Sequence, residues 1–129
     1  MNIRESAENY LETILIIQER KGSVRSIDIA NELNFSKPSV SVAMKNLREN
    51  GYISVDDNGY ISLTDSGFDI ADRMYERQRI ISQYFMLLGV DPETAVKDAC
   101  RIEHIISIDS FEAIRGEYVR LKNGKSEHH

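Results

Sequence analysis

The chain has no tryptophan, two prolines and a single cysteine in 129 residues. One cysteine cannot close an internal disulfide, so a disulfide-stapled scaffold is excluded, a reducing compartment is expected, and Cys100 is left as a thiol. Cysteine pairs with zinc-finger spacing are absent as well. No apolar run approaches the ~20 residues of a membrane span. The opening "MNIRESAENY" lacks a basic segment followed by an apolar one. Neither a membrane partner nor a secretory signal is therefore expected, and the expected location is cytoplasmic. Positive charge is also scarce: 16 Lys and Arg against 21 Asp and Glu give a formal charge of −5. A protein with that balance does not cling constantly to nucleic acid. The deficit is uneven, however. Residues 36 to 50 carry Lys37, Lys45 and Arg48 against Glu49 alone, and a locally basic helix on an acidic protein suits DNA binding that must be switched on.

What is present reads as short amphipathic helices. "SAENYLETILIIQER" places Tyr10, Leu11, Ile14, Leu15 and Ile17 at helical spacing, and "KGS" ends the run. From Ser26, a plausible N-cap, "SIDIANELNF" predicts a short helix with Ile27, Ala30 and Leu33 facing inward. A third helix follows a Ser36 cap, with Pro38 in its first turn, Val40, Ala43, Met44 and Leu47 on its apolar face, and Gly51 as its stop. Two alternating runs, "YISV" and "YISLT", then flank "DDNG", where Asn58 and Gly59 both tolerate the positive φ of a tight hairpin. Three helices and a small hairpin, in that order, predict a winged helix-turn-helix at 1–63, with the third helix in the DNA major groove and the hairpin as wing.

Thr64 is placed to cap a long helix that Gly89 stops. Its inward stripe of Phe68, Ala71, Met74, Tyr75, Ile81, Phe85 and Leu88 contains one polar member, Gln78. Asp91 and Pro92 open a helix through "PETAVKDACRIEHIIS", and Asp109 or Ser110 begins another. Residues 64–123 thus predict an all-helical domain, and 124–129 a disordered tail. The density of Ile105, Ile106, Ile108 and Phe111 exceeds what three helices alone can hide, which predicts a homodimer. The fold class is mainly α: an N-terminal winged helix-turn-helix (three helices plus a β-hairpin wing) followed by an all-helical dimerisation domain.

"ACRIEH" holds the only cysteine and the only histidine outside the tail. On one helix, Cys100, Glu103 and His104 fall at i, i+3 and i+4 and can point to one place. A thiolate, a carboxylate and an imidazole make a partial shell for a divalent first-row metal, to be completed from other helices. Asn9 and Glu12 share a face of the first helix at i, i+3, and Gln78 offers a third oxygen. Two other readings stand beside this one: a buried small thiol next to a solvated Glu-His pair, or a Cys100/His104 nucleophile pair. The last lacks any oxyanion hole or orienting third residue, so an enzyme is not expected.

Three blocks, "ENYLETILII", "SKPSVSVAMKNL" and "ACRIEHIIS", resemble in order the diphtheria toxin repressor and manganese transport regulator family of metal-dependent transcriptional repressors. The length resembles the two-domain, manganese-regulator type. The resemblance implies Cys100, Glu103 and His104 as ligands from the C-terminal domain and Glu12 as a carboxylate ligand from the first helix. Cys100 matches iron-type members, whereas Glu12 matches manganese-type ones. Asn9 stands where the family has aspartate or methionine, Gln78 where it has a ligating histidine, and Ser82 where iron-type members have glutamate. These departures imply that one of the family's two metal sites is weakened or absent. The implied effector is Mn(II) or Fe(II), with Zn(II) or Co(II) able to bind in vitro. The implied partner is a two-fold-related double-stranded DNA operator.

For that DNA, Ser36, Ser39 and Ser41 can donate to phosphates or base edges, Lys37, Lys45 and Arg48 suit phosphates, and Pro38 fixes the helix start. With few arginines placed to fork onto guanine, readout falls to methyl contacts and DNA shape. The alternative function is a metal-independent winged-helix regulator whose C-terminal domain dimerises or senses a small molecule. The neutral Asn9 and Gln78 favour it.

Overall fold

The computed structural model describes residues 3–127. Its elements run α1 (Ile3–Lys21), α2 (Ser26–Leu33), α3 (Lys37–Glu49), β1 (Ile53–Val55), β2 (Ile61–Leu63), α4 (Asp65–Leu87), α5 (Pro92–Ile102) and α6 (Ile108–Glu127). The mainly α winged-helix order expected from the sequence is therefore the order observed. Two compact units divide between Met74 and Tyr75, inside α4. The start of α4 belongs to the first unit because Thr64 ties it there: its N–H donates to the Tyr52 carbonyl at 3.1 Å and its hydroxyl to that of Gly51 at 2.7 Å. The same hydroxyl caps α4 by accepting from the Gly67 N–H at 3.2 Å.

In the first unit the apolar faces of α1, α2 and α3 meet through Leu11, Ile14, Ile29, Val40, Met44 and Leu47, all buried. One inward residue differs from the sequence expectation. Ile27 is 39% exposed, and Ile29 fills the core instead. A helix of eight residues shows barely two turns, so its apolar phase is poorly fixed by spacing alone. Its N-cap is Arg25, one residue before the expected Ser26, and the Asp28 carboxylate accepts from the Arg25 N–H at 2.9 Å.

Asp28 also meets the Lys21 ammonium at 2.6 Å, and that hydrogen bond, with the Arg25 N–H, holds its carboxyl below the usual aspartate value. A lowered folded pKa contributes stability above the unfolded value and loses it as pH falls through the folded one. Asp28→Asn should therefore cost at most about 1 kcal/mol at pH 7, Lys21 being half exposed. The gap from wild type should close below about pH 4 in thermal melts.

The strands pair antiparallel with Ile53 opposite Leu63 and Val55 opposite Ile61. The turn between them is longer than the two-residue hairpin that Asn58-Gly59 suggested. Gly59 has φ +84, while Asn34 is the only described non-glycine residue with positive φ. Asp56 organises the loop by accepting from the N–H groups of Asn58 and Tyr60, each at 2.9 Å. The Gly59 N–H reaches the Asp56 carbonyl at 3.0 Å, the pattern of a turn closed by a left-handed glycine. Arg25 fastens this wing from outside, donating to the Asn58 carbonyl and stacking 4.5 Å from the centre of the Tyr60 ring.

In the second unit Ile81, Ala99 and Phe111 form the core, with Ile80, Phe85, Ile102 and Ile106 packed around it. Asp91 caps α5 from the Thr94 N–H at 3.1 Å, as expected from Asp-Pro. Two helix bounds differ from expectation. α5 ends at Ile102 rather than running on through Ser107, and α6 starts at Ile108, with the Ser107 hydroxyl accepting from the Ser110 N–H at 3.1 Å. α6 also continues to Glu127, past the Asn123 where fraying was expected, and residues 128 and 129 of the expected tail lie outside those described. Phe68, expected inward, is 45% exposed in the first unit. Among the described residues, no helix is long and apolar enough to cross a membrane.

Candidate metal centre and nucleic-acid interface

In the first unit, Asn9 and Glu12 stand on successive turns of α1. Glu12 is buried, flanked in sequence by Leu11, Thr13 and Ile14, all buried too. The Asn9 carbonyl accepts the Thr13 hydroxyl at 2.7 Å.

In the second unit, the end of α5 decides the arrangement of Glu103 and His104. Glu103 is the C-cap residue, its N–H still donating to the Ala99 carbonyl at 3.0 Å, while His104 stands in the turn beyond. Glu103 and His104 are brought together, with Oε1 and Nε2 3.2 Å apart and side chains 1% and 7% exposed. Cys100 lies on the exposed side of α5. There its sulfur accepts from the Gln78 amide Nε2 at 3.1 Å. Ser82 is buried, and its hydroxyl donates back to the Arg79 carbonyl at 3.1 Å.

This donor set fits a divalent first-row ion. A carboxylate and an imidazole already in contact, with a thiol on the same stretch of chain, offer hard and borderline donors. Sequence reasoning missed Arg77. Its guanidinium donates to the Glu103 carbonyl at 3.1 Å and the Ile106 carbonyl at 3.4 Å, holding the turn that carries Glu103 and His104. No spacing signal in the sequence marks it.

The candidate DNA face is α3. Its buried stripe of Val40, Met44 and Leu47 leaves Lys37, Ser41, Lys45 and Arg48, at i, i+4, i+8 and i+11, on one exposed face. Ser36 caps the helix by accepting from the Ser39 N–H at 3.3 Å, and the Ser36 hydroxyl donates to that of Ser39 at 2.8 Å. Both serines, with Pro38 beside them, are exposed. Val42 is 61% exposed beside this face. It was not singled out from the sequence, although its place off the Val40–Leu47 stripe is the signal that could have found it. An exposed valine there suits contact with a thymine methyl.

Comparison with known proteins agrees with both halves. Residues 2–60 match the iron-dependent repressor N-terminal DNA-binding domain, and residues 64–121 match the iron-dependent repressor metal-binding and dimerisation domain. The transcriptional regulator MntR of Escherichia coli O6:H1 is 33% identical over 112 residues, covering 87% of this chain and 72% of the relative. MntR of Listeria monocytogenes serotype 4a is 32% identical over 116 residues, covering 90% and 81%. A solved manganese-dependent transcriptional repressor in complex with manganese superposes with a TM-score of 0.80 at 26% identity, covering 87% of this chain and 52% of that one. The chain thus spans about half the length of that structure. These relatives are transcriptional regulators, not enzymes. On two domain matches that together cover nearly its whole length, the chain belongs to the iron-dependent repressor family, that of the diphtheria toxin repressor and the manganese transport regulator.

Proposed function

We propose that this chain is a metal-responsive transcriptional repressor that binds a two-fold-related operator as a homodimer when Mn(II) or Fe(II) is bound. The observation that carries the reading is the buried Glu103 carboxylate against the His104 imidazole, in the part of the chain that matches a metal-binding domain. Glu12, Cys100, Glu103 and His104 would be the ligands, and the carbonyl oxygens of Asn9 and Gln78 weaker neutral donors. When bound, a divalent ion would supply positive charge that neutralises part of the charge of its carboxylate ligands.

The chain's own residues do the rest. Glu12 ties α1, and with it the winged helix, to the centre, while Glu103 and His104 tie the dimerisation domain to it. Ile105 and Ile108, 71% and 68% exposed, are the apolar surface that a second copy would cover. Lys37, Lys45 and Arg48 neutralise phosphates, and Ser36, Pro38, Ser39, Ser41 and Val42 meet the groove. A ligand with ~100-fold preference for the DNA-competent arrangement shifts its population by about 2.7 kcal/mol, enough for a switch.

Anaerobic titration of metal-free protein with Co(II), beside Cys100→Ser, tests the ligand set. A saturable thiolate-to-cobalt absorption band lost in the variant is expected; binding without such a band would remove Cys100 from the shell. A second reading, a metal-independent regulator, draws on the Gln78 amide, which is engaged with the Cys100 sulfur. Gln78→His decides how far that substitution has disabled a site. It is expected to add a bound Mn(II) per subunit in calorimetric titration, and unchanged stoichiometry would show that Gln78 is not what limits the count.

A further inference from the structure

Arg77 is a cation whose donors reach the backbone of the turn that carries Glu103 and His104. It stands on α4, one turn of chain before Ile81 enters the core. Its guanidinium lies 5.1 Å from the centre of the Phe111 ring, and Nη1 reaches the Glu103 carbonyl at 3.1 Å and that of Ile106 at 3.4 Å. Three elements meet in this one side chain: α4, the α5–α6 turn and the start of α6. The carbonyls at the end of a helix lack intrahelical donors and carry its negative dipole end, so a cation is well placed there. Lysine would do only part of this work, since its ammonium can donate to carbonyls but lacks the delocalised guanidinium that stacks on an aromatic ring.

We infer that Arg77 is a positioning residue for the metal centre: it fixes the turn so that the Glu103 carboxylate and His104 imidazole stay in contact, and ion affinity depends on it although it cannot ligate. The inference rests on the function proposed above. It also makes a prediction opposite in sign to simple electrostatics. Removing a positive charge near a cation site should tighten binding by lessening repulsion. Removing a positioning residue should weaken it, by about 10- to 100-fold for supports behind metal ligands.

The experiment is calorimetric titration of the full metal-free chain with Mn(II) for wild type, Arg77→Met, Arg77→Lys and Arg115→Met, with a thermal melt of each metal-free protein. Arg115 lies 5.0 Å from the centre of the same ring and pairs with the Glu76 carboxylate at 2.8 Å. Its variant controls for loss of a stacked cation. Expected are roughly tenfold or greater weakening in Arg77→Met, intermediate affinity in Arg77→Lys, and wild-type affinity in Arg115→Met. Unchanged or tighter binding in Arg77→Met overturns the inference, as does equal weakening in Arg115→Met. If Arg77→Met shows no cooperative melt, Arg77→Lys decides: affinity below wild type supports the inference and wild-type affinity overturns it. A wild-type chain that binds no Mn(II) overturns the proposed function and this inference with it, whereas wild-type binding that Arg77→Met retains overturns the inference alone.

Discussion

Glu103→Gln is expected to lower Mn(II) affinity by at least about 100-fold, the upper end of what loss of a support behind a ligand costs. Glutamine keeps the size of the side chain, so the fold around it has no reason to change. It replaces a negative, two-oxygen donor by a neutral carbonyl with an amide that cannot ligate. Because Glu103 is 1% exposed, water cannot readily take the vacated position. The check is a calorimetric titration alongside a melt of the metal-free protein. A variant that melts like wild type but binds Mn(II) hundredfold more weakly supports Glu103 as a ligand. A variant with wild-type affinity removes it from the shell, and the proposed centre would lose its anchor.

The second large effect concerns the reading head. Gly67 is buried in the first turn of α4, and a Cβ built there would lie 2.0 Å from the Tyr52 carbonyl oxygen and 3.0 Å from its carbon. Those are backbone atoms on the chain leading into β1, held by the Tyr52 N–H on the Leu47 carbonyl at 3.0 Å, so they cannot swing aside as a side-chain tip would. Gly67→Ala must push α4 away from the α3–β1 connection and break the Thr64 link to Tyr52. Its helix propensity favours alanine by up to ~1 kcal/mol, but overpacking against fixed backbone costs about 3 kcal/mol. The clash wins. We expect Tm to fall by several degrees to ~10 °C, with DNA binding weakened through a displaced wing; a variant that melts with wild type would show that α4 does not approach Tyr52 this closely.

Local signals in the sequence located most of these elements because each carried its own punctuation. Ser36, Thr64 and Asp91 cap helices where their side chains suggested. Gly51 and Gly89 take positive φ at the expected stops. The differences arise where the deciding interaction is distant in sequence. Nothing between Cys100 and Ser107 breaks a helix by propensity. α5 nevertheless ends at Ile102, in a turn whose carbonyls at Glu103 and Ile106 are held by Arg77 from α4.

The candidate site was legible in kind more than in arrangement. "ACRIEH" marked the donors, and helical spacing placed them on one face. The structure adds that Glu103 meets His104 and that the Cys100 sulfur accepts from Gln78. Only three-dimensional packing could show that pairing, since residues 78 and 100 sit on different helices. Val42 was missed for a different reason: the sequence left it off the apolar face of its helix, and the DNA candidates were drawn from serines, basic residues and Pro38 alone.

In the proposed function, metal governs DNA binding. Its most direct test is fluorescence anisotropy of the chain with a duplex selected from random DNA in the presence of Mn(II), titrated at fixed salt with Mn(II) and again with chelator. The account predicts that chelation weakens binding by about 100-fold, matching the ~2.7 kcal/mol shift of the switch, and that added Mn(II) restores it. Equal affinity with Mn(II) and with chelator would contradict it.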